Sequence, residues 1–511
     1  MNSTHIRILD TTLRDGEQTP GVSLTPDEKV RIARQLDKLG VDAIEAGFPI
    51  TSTGECESVA AVAKAGLSCE VVALARASKN DIDVALSTGV NSVHLFIATS
   101  DLHLKHKLKL NRQQVLGRIT DSVSYAKQHA HTVEFSAEDA TRTEIGFLKE
   151  AYKTAERSGA DRLNIPDTVG ISSPQNIAIV TREIVSSTSV PVSIHCHDDF
   201  GLAVANSLAS IQVGATQAHV TVNGLGERAG NTSLEELVMS LHRLYDRETK
   251  IRTELLTETS KLVETLTGIR VQPNKAVVGE NAFGHESGIH THGITEMPLT
   301  YEPYDPSLVG RRRWFQAGKH AGAHGIAAQL AEEGLFPDKN QLVEIVSRVK
   351  DIGDKGKTVT DADLSAIAEA VLGKTKGGER ILDLVDLAVV TGKGLVPTAS
   401  VRLRLNEKEY TSAETGLGPV DAAIRAVQKI TDPSVQVTLK EYRLKAITGG
   451  SDALAEALVK VEDSNGTTVS ASAAREDVVV ASVEAMIEAI NKVLLRRRIT
   501  EASSVPLLHE G

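Results

Sequence analysis

The chain has 511 residues, 41% of them hydrophobic, with few aromatics and a formal net charge of −11. That length sets two or three domains. The acidic balance argues against a nucleic-acid binder, no apolar run is long enough to span a membrane, and three cysteines (Cys56, Cys69 and Cys196) make no disulfide framework but fit a cytoplasmic protein.

In chain order, residues 6–9 read as a short buried strand. Arg14, Asp15, Glu17 and Gln18 follow at its carboxyl end, where such groups are costly unless something binds there. Thr25-Pro26-Asp27-Glu28 spells a capping box with proline at N1. The helix it opens carries Val30, Ile32, Ala33, Leu36 and Leu39 on one face and stops at Gly40. A strand over 43–49 completes a strand–helix–strand unit of the right length for parallel pairing. Further strands are expected at 71–75, 92–98, 132–136, 162–166, 192–196 and 218–222, separated by helices such as 147–158 and 202–213. Eight strands alternating with helices in about 250 residues predict a (β/α)8 TIM barrel over residues 1–270. A doubly wound sheet is the competing architecture. The barrel is preferred because polar clusters follow many strands rather than one switch point.

Beyond a helix at 255–266, the segment 279–293 carries His285, His290 and His292. Two small helices at 340–349 and 361–371 predict a linker and helical subdomain over 271–376, ending in the Gly/Lys-rich stretch 374–379. Residues 383–500 change character. Strands at 384–390 and 400–405 lead to a helix at 420–430. Strands near 442–447 and 454–462, an Asn465-Gly466 hairpin turn leading to another strand, and a helix at 477–495 then repeat the theme. This predicts an internally duplicated α+β domain, placed as a regulatory or dimerisation module.

His195-Cys196-His197 is the sharpest local signal, because side chains at i and i+2 of a strand face the same way. A lone pair of this kind is also compatible with two hydrogen-bonded core histidines. Asp15 tips the balance, since the first and seventh strands of a closed barrel open on the same face. Two imidazoles and a carboxylate suit a divalent metal with positions left for substrate, and Asn231, after the eighth strand, can add an oxygen. Arg14 reads as an ion-pair partner of Asp15 or, preferably, as a donor to a substrate carbonyl or carboxylate. Thr168 is equally a helix N-cap or a ligand, and Glu138 alone reads as a surface carboxylate. Residues 224–230 do not match a phosphate-loop pattern. The histidines at 285–292 lack the partners of a separate zinc site, and fit better as a proton-transfer group reaching over the barrel mouth.

Together these motifs resemble the 2-isopropylmalate synthase family, a group of acyl-CoA Claisen enzymes that includes citramalate and homocitrate synthases. The matching stretches are 10–18 (Asp-Thr-Thr-Leu-Arg-Asp-Gly-Glu-Gln), 136–140 (Ser-Ala-Glu-Asp-Ala), 195–201 (His-Cys-His-Asp-Asp-Phe-Gly), 223–231 (Asn-Gly-Leu-Gly-Glu-Arg-Ala-Gly-Asn) and 285–290 (His-Glu-Ser-Gly-Ile-His). Residues 416–423 and 447–454 resemble the family's leucine-sensing domain. The resemblance implies a divalent cation (zinc, manganese, magnesium or cobalt) on Asp15, His195, His197 and Asn231. It implies a 2-oxo acid held by Arg14, Gln18, His94 and Thr168, and acetyl-CoA as co-substrate, deprotonated by His290 with Glu138 near Tyr301. It also implies a homodimer with leucine as feedback inhibitor. Many family members carry asparagine where this chain has Asp198.

The leading expectation is condensation of acetyl-CoA with 3-methyl-2-oxobutanoate. The alternative is a citramalate synthase using pyruvate, since a methyl-scale difference in an apolar pocket is worth only about 1–3 kcal/mol. A homocitrate synthase would want a cation for the distal carboxylate. A non-catalytic leucine-binding regulator would not need the intact polar residues. A non-haem iron oxygenase would call for a jelly-roll pattern that this sequence lacks.

Overall fold

The computed structural model describes residues 5–332, 334–354, 359–372, 381–405, 408–433, 435–446, 455–464, 466 and 468–503. The motif at 447–454, the stretch at 374–379 and Asn465 lie outside them. The chain divides into two compact units, one of residues 1–283 with 304–313, the other of 284–303 with 314–511.

The first unit is a closed barrel of eight parallel strands in sequential order. They are β1 (Arg7–Asp10), β2 (Ala43–Gly47), β3 (Glu70–Arg76), β4 (Ser92–Ala98), β5 (Thr132–Glu138), β6 (Arg162–Asp167), β7 (Val192–Cys196) and β8 (Gln217–Val220). Pairing of β8 with β1, Arg7 beside Gln217 and Asp10 beside Val220, closes the cylinder. Around it run α1 (Pro26–Leu39), α2 (Thr53–Ala63), α3 (Lys79–Ser87), the one-turn α4 (Asp101–His103), α5 (Arg112–His129), α6 (Ile145–Arg157), α7 (Pro174–Val185), α8 (Ala203–Gln212), α9 (Leu234–Leu244) and α10 (Leu256–Thr267).

Local chemistry starts these helices where they start. Thr25 and Glu28 form the expected capping box, and Asn111 with Gln114 forms another at α5. The second strand ends at Gly47, two residues short of the expected end, because Pro49 begins a 3-10 turn. Strand side chains facing the helices, such as Ile8, Ile44, Val93, Val133 and Leu163, are fully buried in one apolar core. Side chains facing inward are instead unusually polar: Glu45, His94, Glu134, Ser136, Asn164, Gln217 and His219 are all buried.

The second unit holds β9 (Gly284–His285) paired with β10 (Trp314–Phe315), α11 (Gly288–Glu296), α12 (Ala323–Glu332), α13 (Lys339–Asp354) and α14 (Asp361–Val371). Ile326, Leu330, Ile345, Val349 and Leu364 share a small core there. Two antiparallel sheets follow. Strands β11 (Leu382–Val390), β12 (Thr398–Leu405) and β13 (Lys408–Thr415) are followed by α15 (Pro419–Thr431); β14 (Val437–Ala446), β15 (Ala455–Asp463) and β16 (Thr468–Arg475) by α16 (Val478–Ser503). Each middle strand alternates in burial, with Ala399, Val401 and Leu403 inward on β12 and Ala457, Val459 and Val461 inward on β15. The two sheets share one apolar core. The duplicated pattern expected from the sequence is present, with β13 as an addition to it and α12 as an addition to the helical segment before it. No helix among the described residues is long and apolar enough to cross a membrane.

Candidate metal centre at the barrel mouth

Beyond the end of β1 the chain turns back on itself, with Arg14 N and Gly16 N both donating to the Thr11 carbonyl. This swings Asp15 over the carboxyl end of the barrel. At the tip of β7, His195 Nε2 lies 3.3 Å and His197 Nε2 lies 3.9 Å from Asp15 Oδ2. The two imidazole nitrogens are 3.4 Å apart, and the three donor atoms lie within 4.8 Å of one another.

Asn231 arrives from the other side. The loop after β8 pairs antiparallel with the end of β7: Asp198 N donates to the Gly230 carbonyl, Thr232 N to that of Cys196, and Asn231 stands opposite His197. Gly226 adopts φ 153° here, and a Cβ on it would sit 2.1 Å from Asn231 Nδ2, so this close approach requires glycine. Asn231 Nδ2 donates to Asp15 Oδ1 and to the Leu225 carbonyl, both at 3.1 Å. Its Oδ1 is buried and receives no hydrogen bond among the described residues, and His197 Nδ1 is in the same condition.

Burial depresses the pKa of His195 against the opposing pull of Asp15. Burial, and then the neighbouring His195, lower that of His197 to about 4. Burial opposes ionisation of Asp15, yet Arg14 and the two histidines outweigh it and hold the carboxyl well below its usual range. The result is one carboxylate, two imidazoles held toward the neutral form with their ring nitrogens close together, and an orphaned amide oxygen. The donor set fits a divalent metal ion.

Arg14 is an ion-pair partner of Asp15 through Nη1 (2.7 Å) and also of Glu45 through Nε (2.6 Å). Thr168 lies just past the end of β6, and its Oγ1 accepts from Asp139 N at 2.9 Å. Glu138 ends β5 and is not a lone surface carboxylate: Lys107 Nζ is 2.5 Å and His103 Nδ1 3.6 Å from its Oε1. Gln18 is exposed in a 3-10 turn after Asp15. His94 lies inside the barrel with both ring nitrogens engaged, by Glu45 and by Ser136, each at 2.6 Å. His290 and Tyr301 belong to the second unit, where their rings stack at 4.2 Å.

Glu45 went unnoticed in the sequence. It is fully buried, and it accepts from Thr11 and Arg14 while contacting His94. The available signal was a lone acid in the middle of an otherwise apolar strand. Lys107 and His103 were missed because a basic run after a strand ordinarily reads as solvated surface.

Comparison with known proteins places the chain in a family. Residues 5–263 match the HMGL-like family, 277–357 a homocitrate synthase post-HMGL domain-like family, and 358–494 the LeuA allosteric (dimerisation) domain. The chain is 56% identical to a protein of Methanopyrus kandleri named "Probable 2-isopropylmalate synthase", covering 96% of this chain and 99% of that one. It is 53% identical to the 2-isopropylmalate synthase of Methanocaldococcus jannaschii, over 96% and 95%. It is also 49% identical to a Methanopyrus kandleri protein named "Putative (R)-citramalate synthase CimA", over 96% and 97%. With half or more of its residues shared over nearly its full length, the chain belongs to the 2-isopropylmalate/citramalate synthase family of enzymes.

Proposed function

We propose that the chain condenses acetyl-CoA with 3-methyl-2-oxobutanoate, giving 2-isopropylmalate and CoA, the first committed step of leucine synthesis in the cytoplasm. The observation that carries this reading is the convergence of Asp15, His195 and His197, in a chain more than half identical to proteins named for that activity.

Asp15, His195, His197 and Asn231 would hold a divalent cation; zinc, manganese, magnesium and cobalt all suit these donors. When bound, such an ion supplies Lewis-acid polarisation of the oxo acid's carbonyl. Arg14, fixed by Asp15 and Glu45, is charged and aimed by its partners, and serves as the donor to the ketone oxygen as negative charge builds there. The Thr168 hydroxyl accepts from Asp139 N, which leaves its own proton for the substrate carboxylate. Gln18 lies at the exposed rim, and His94 contributes ring surface rather than a free nitrogen. Removal of a methyl proton from acetyl-CoA is assigned to Glu138 and to His290, with Tyr301 stacked on the latter. The resulting carbon nucleophile adds to the ketone, and water then cleaves the thioester.

A thiol-release assay with a panel of 2-oxo acids tests the proposal. CoA release with 3-methyl-2-oxobutanoate is expected. Release with pyruvate alone would move the chain to the citramalate branch, and no release with any oxo acid would leave a non-catalytic leucine-binding protein. The match to an allosteric dimerisation domain extends the proposal to a homodimer inhibited by leucine. Inhibition that persists after removal of residues beyond about 376 would put the effector site elsewhere.

A further inference from the structure

We propose that Lys29 is a positioning residue: it fixes the segment that carries Arg14 and Asp15, and thereby sets the affinity of the barrel mouth for its divalent cation. This rests on Asp15 being a ligand, as above.

Lys29 lies on α1 three residues before Ile32 and seven before Leu36, on the face that packs against the barrel. Helical periodicity asks for an apolar residue there. The lysine is fully buried, and a buried ammonium is tolerated only when its protons are satisfied. Nζ lies 2.6 Å from Glu17 Oε2, 2.7 Å from Glu55 Oε2 and 3.0 Å from the Leu13 carbonyl. Each of its three protons therefore has an acceptor at short range.

The identity of those acceptors matters. Leu13 is the residue before Arg14, and Glu17 stands two past Asp15. One ammonium therefore grips both ends of the short turn that carries the arginine and the candidate ligand. Glu17 is held in its own right, since its Oε1 accepts from Leu24 N at 2.9 Å. On the other flank, Glu55 Oε1 accepts from Phe48 N, and Lys29 Nζ also approaches the Ala46 carbonyl at 3.4 Å. Gly47 makes room for this: its φ is 156°, and a Cβ would stand 1.9 Å from Glu55 Oε1. Ala46 follows Glu45, the carboxylate that holds Arg14 Nε. Lys29 thus ties the segment bearing Arg14 and Asp15 to the strand bearing the partner of Arg14, and contacts neither Arg14 nor Asp15 itself.

The test uses the full chain carrying Lys29→Met and, as a milder change, Glu17→Gln. Tyr152→Phe serves as control, because it removes a different buried hydrogen bond of the barrel, to the Asn164 carbonyl. Affinity for Mn2+ and Co2+ is measured by titration calorimetry, with the Co2+ visible spectrum as a report on ligand geometry and thermal midpoints as a report on folding. Lys29→Met is expected to lose cation affinity by roughly 10–100-fold, the range seen when groups supporting a ligand are removed, with an altered Co2+ spectrum. Glu17→Gln should lose less, and Tyr152→Phe should bind normally despite its lower midpoint. Affinities within twofold of the unaltered chain in both site variants would overturn the proposal, as would an equal loss in Tyr152→Phe. If Lys29→Met does not fold, Glu17→Gln decides alone. Failure of the unaltered chain to bind either cation would instead refute the metal site, and this proposal with it.

Discussion

The foot and the mouth of the barrel both bury charge, but they do so differently. At the foot, Arg7 pairs with Glu70 at 3.0 Å and donates to Gln217. Arg162 pairs with Glu70 at 2.8 Å and Glu134 at 3.1 Å, and Gln217 donates back to Glu134. The groups form a closed circuit in which each finds a partner within the protein. At the mouth the circuit is open: Asn231 Oδ1 and His197 Nδ1 are buried without a hydrogen-bond partner among the described residues, and two imidazole nitrogens lie 3.4 Å apart. A satisfied network rigidifies the strands it joins. An unsatisfied one is a standing cost that native proteins rarely carry without a purpose. Orphaned buried atoms also occur away from the mouth, at His219 Nδ1 and Asn164 Oδ1 among the described residues, so it is the convergence of Asp15, His195 and His197 on one point that tells the two ends apart.

Four substitutions break or sharpen this contrast. The largest effect is expected from His195→Ala, which should reduce bound metal and turnover to background in metal analysis and thiol release; near-normal rates in a metal-depleted sample would rule out the site. Next, Arg162→Met at the foot leaves Glu134 and Glu70 short of a partner and should cost about 3–5 kcal/mol of stability in urea unfolding, with cation affinity intact. A loss of affinity there would mean that the two ends are not separable. Asn231→Ala should weaken cation binding by roughly 10–100-fold with little change in unfolding midpoint, and the reverse pattern would make it a structural residue.

The smallest effect concerns Asp10, buried at the carboxyl end of β1. Burial, opposed by hydrogen bonds from Thr12, raises its carboxyl from 3.8 to about 7. Between those values the folded chain holds a proton that the unfolded chain has released. The stability Asp10 contributes is therefore complete below pH 3.8 and is lost as pH rises toward and through 7. Asp10→Asn should flatten the difference in unfolding midpoint across that window; an unchanged slope would remove Asp10 from the account.

Most of the barrel was legible because buried parallel strands leave apolar runs and their helices carry caps such as Thr25 with Glu28. Asp15, His195, His197 and Asn231 were legible because each follows or ends a recognisable strand. Lys29 and Glu45 were not, since periodicity assigns their positions to apolar side chains, and only three-dimensional pairing makes a charge tolerable there. Strand β13 was hidden by its composition: its residues are largely exposed, so no burial rhythm marks it. Helix α12, with four alanines among its ten residues, offers no strong apolar stripe.

The backbone ladder between the loop after β8 and the tip of β7 has a further consequence. His197 and Asn231 are far apart in sequence yet ride on one stitched piece of main chain. Neither can be retuned alone by sliding its loop. A graft or insertion at residues 224–230 would displace both donors together, so diversification of this rim should proceed through side chains while its length stays fixed.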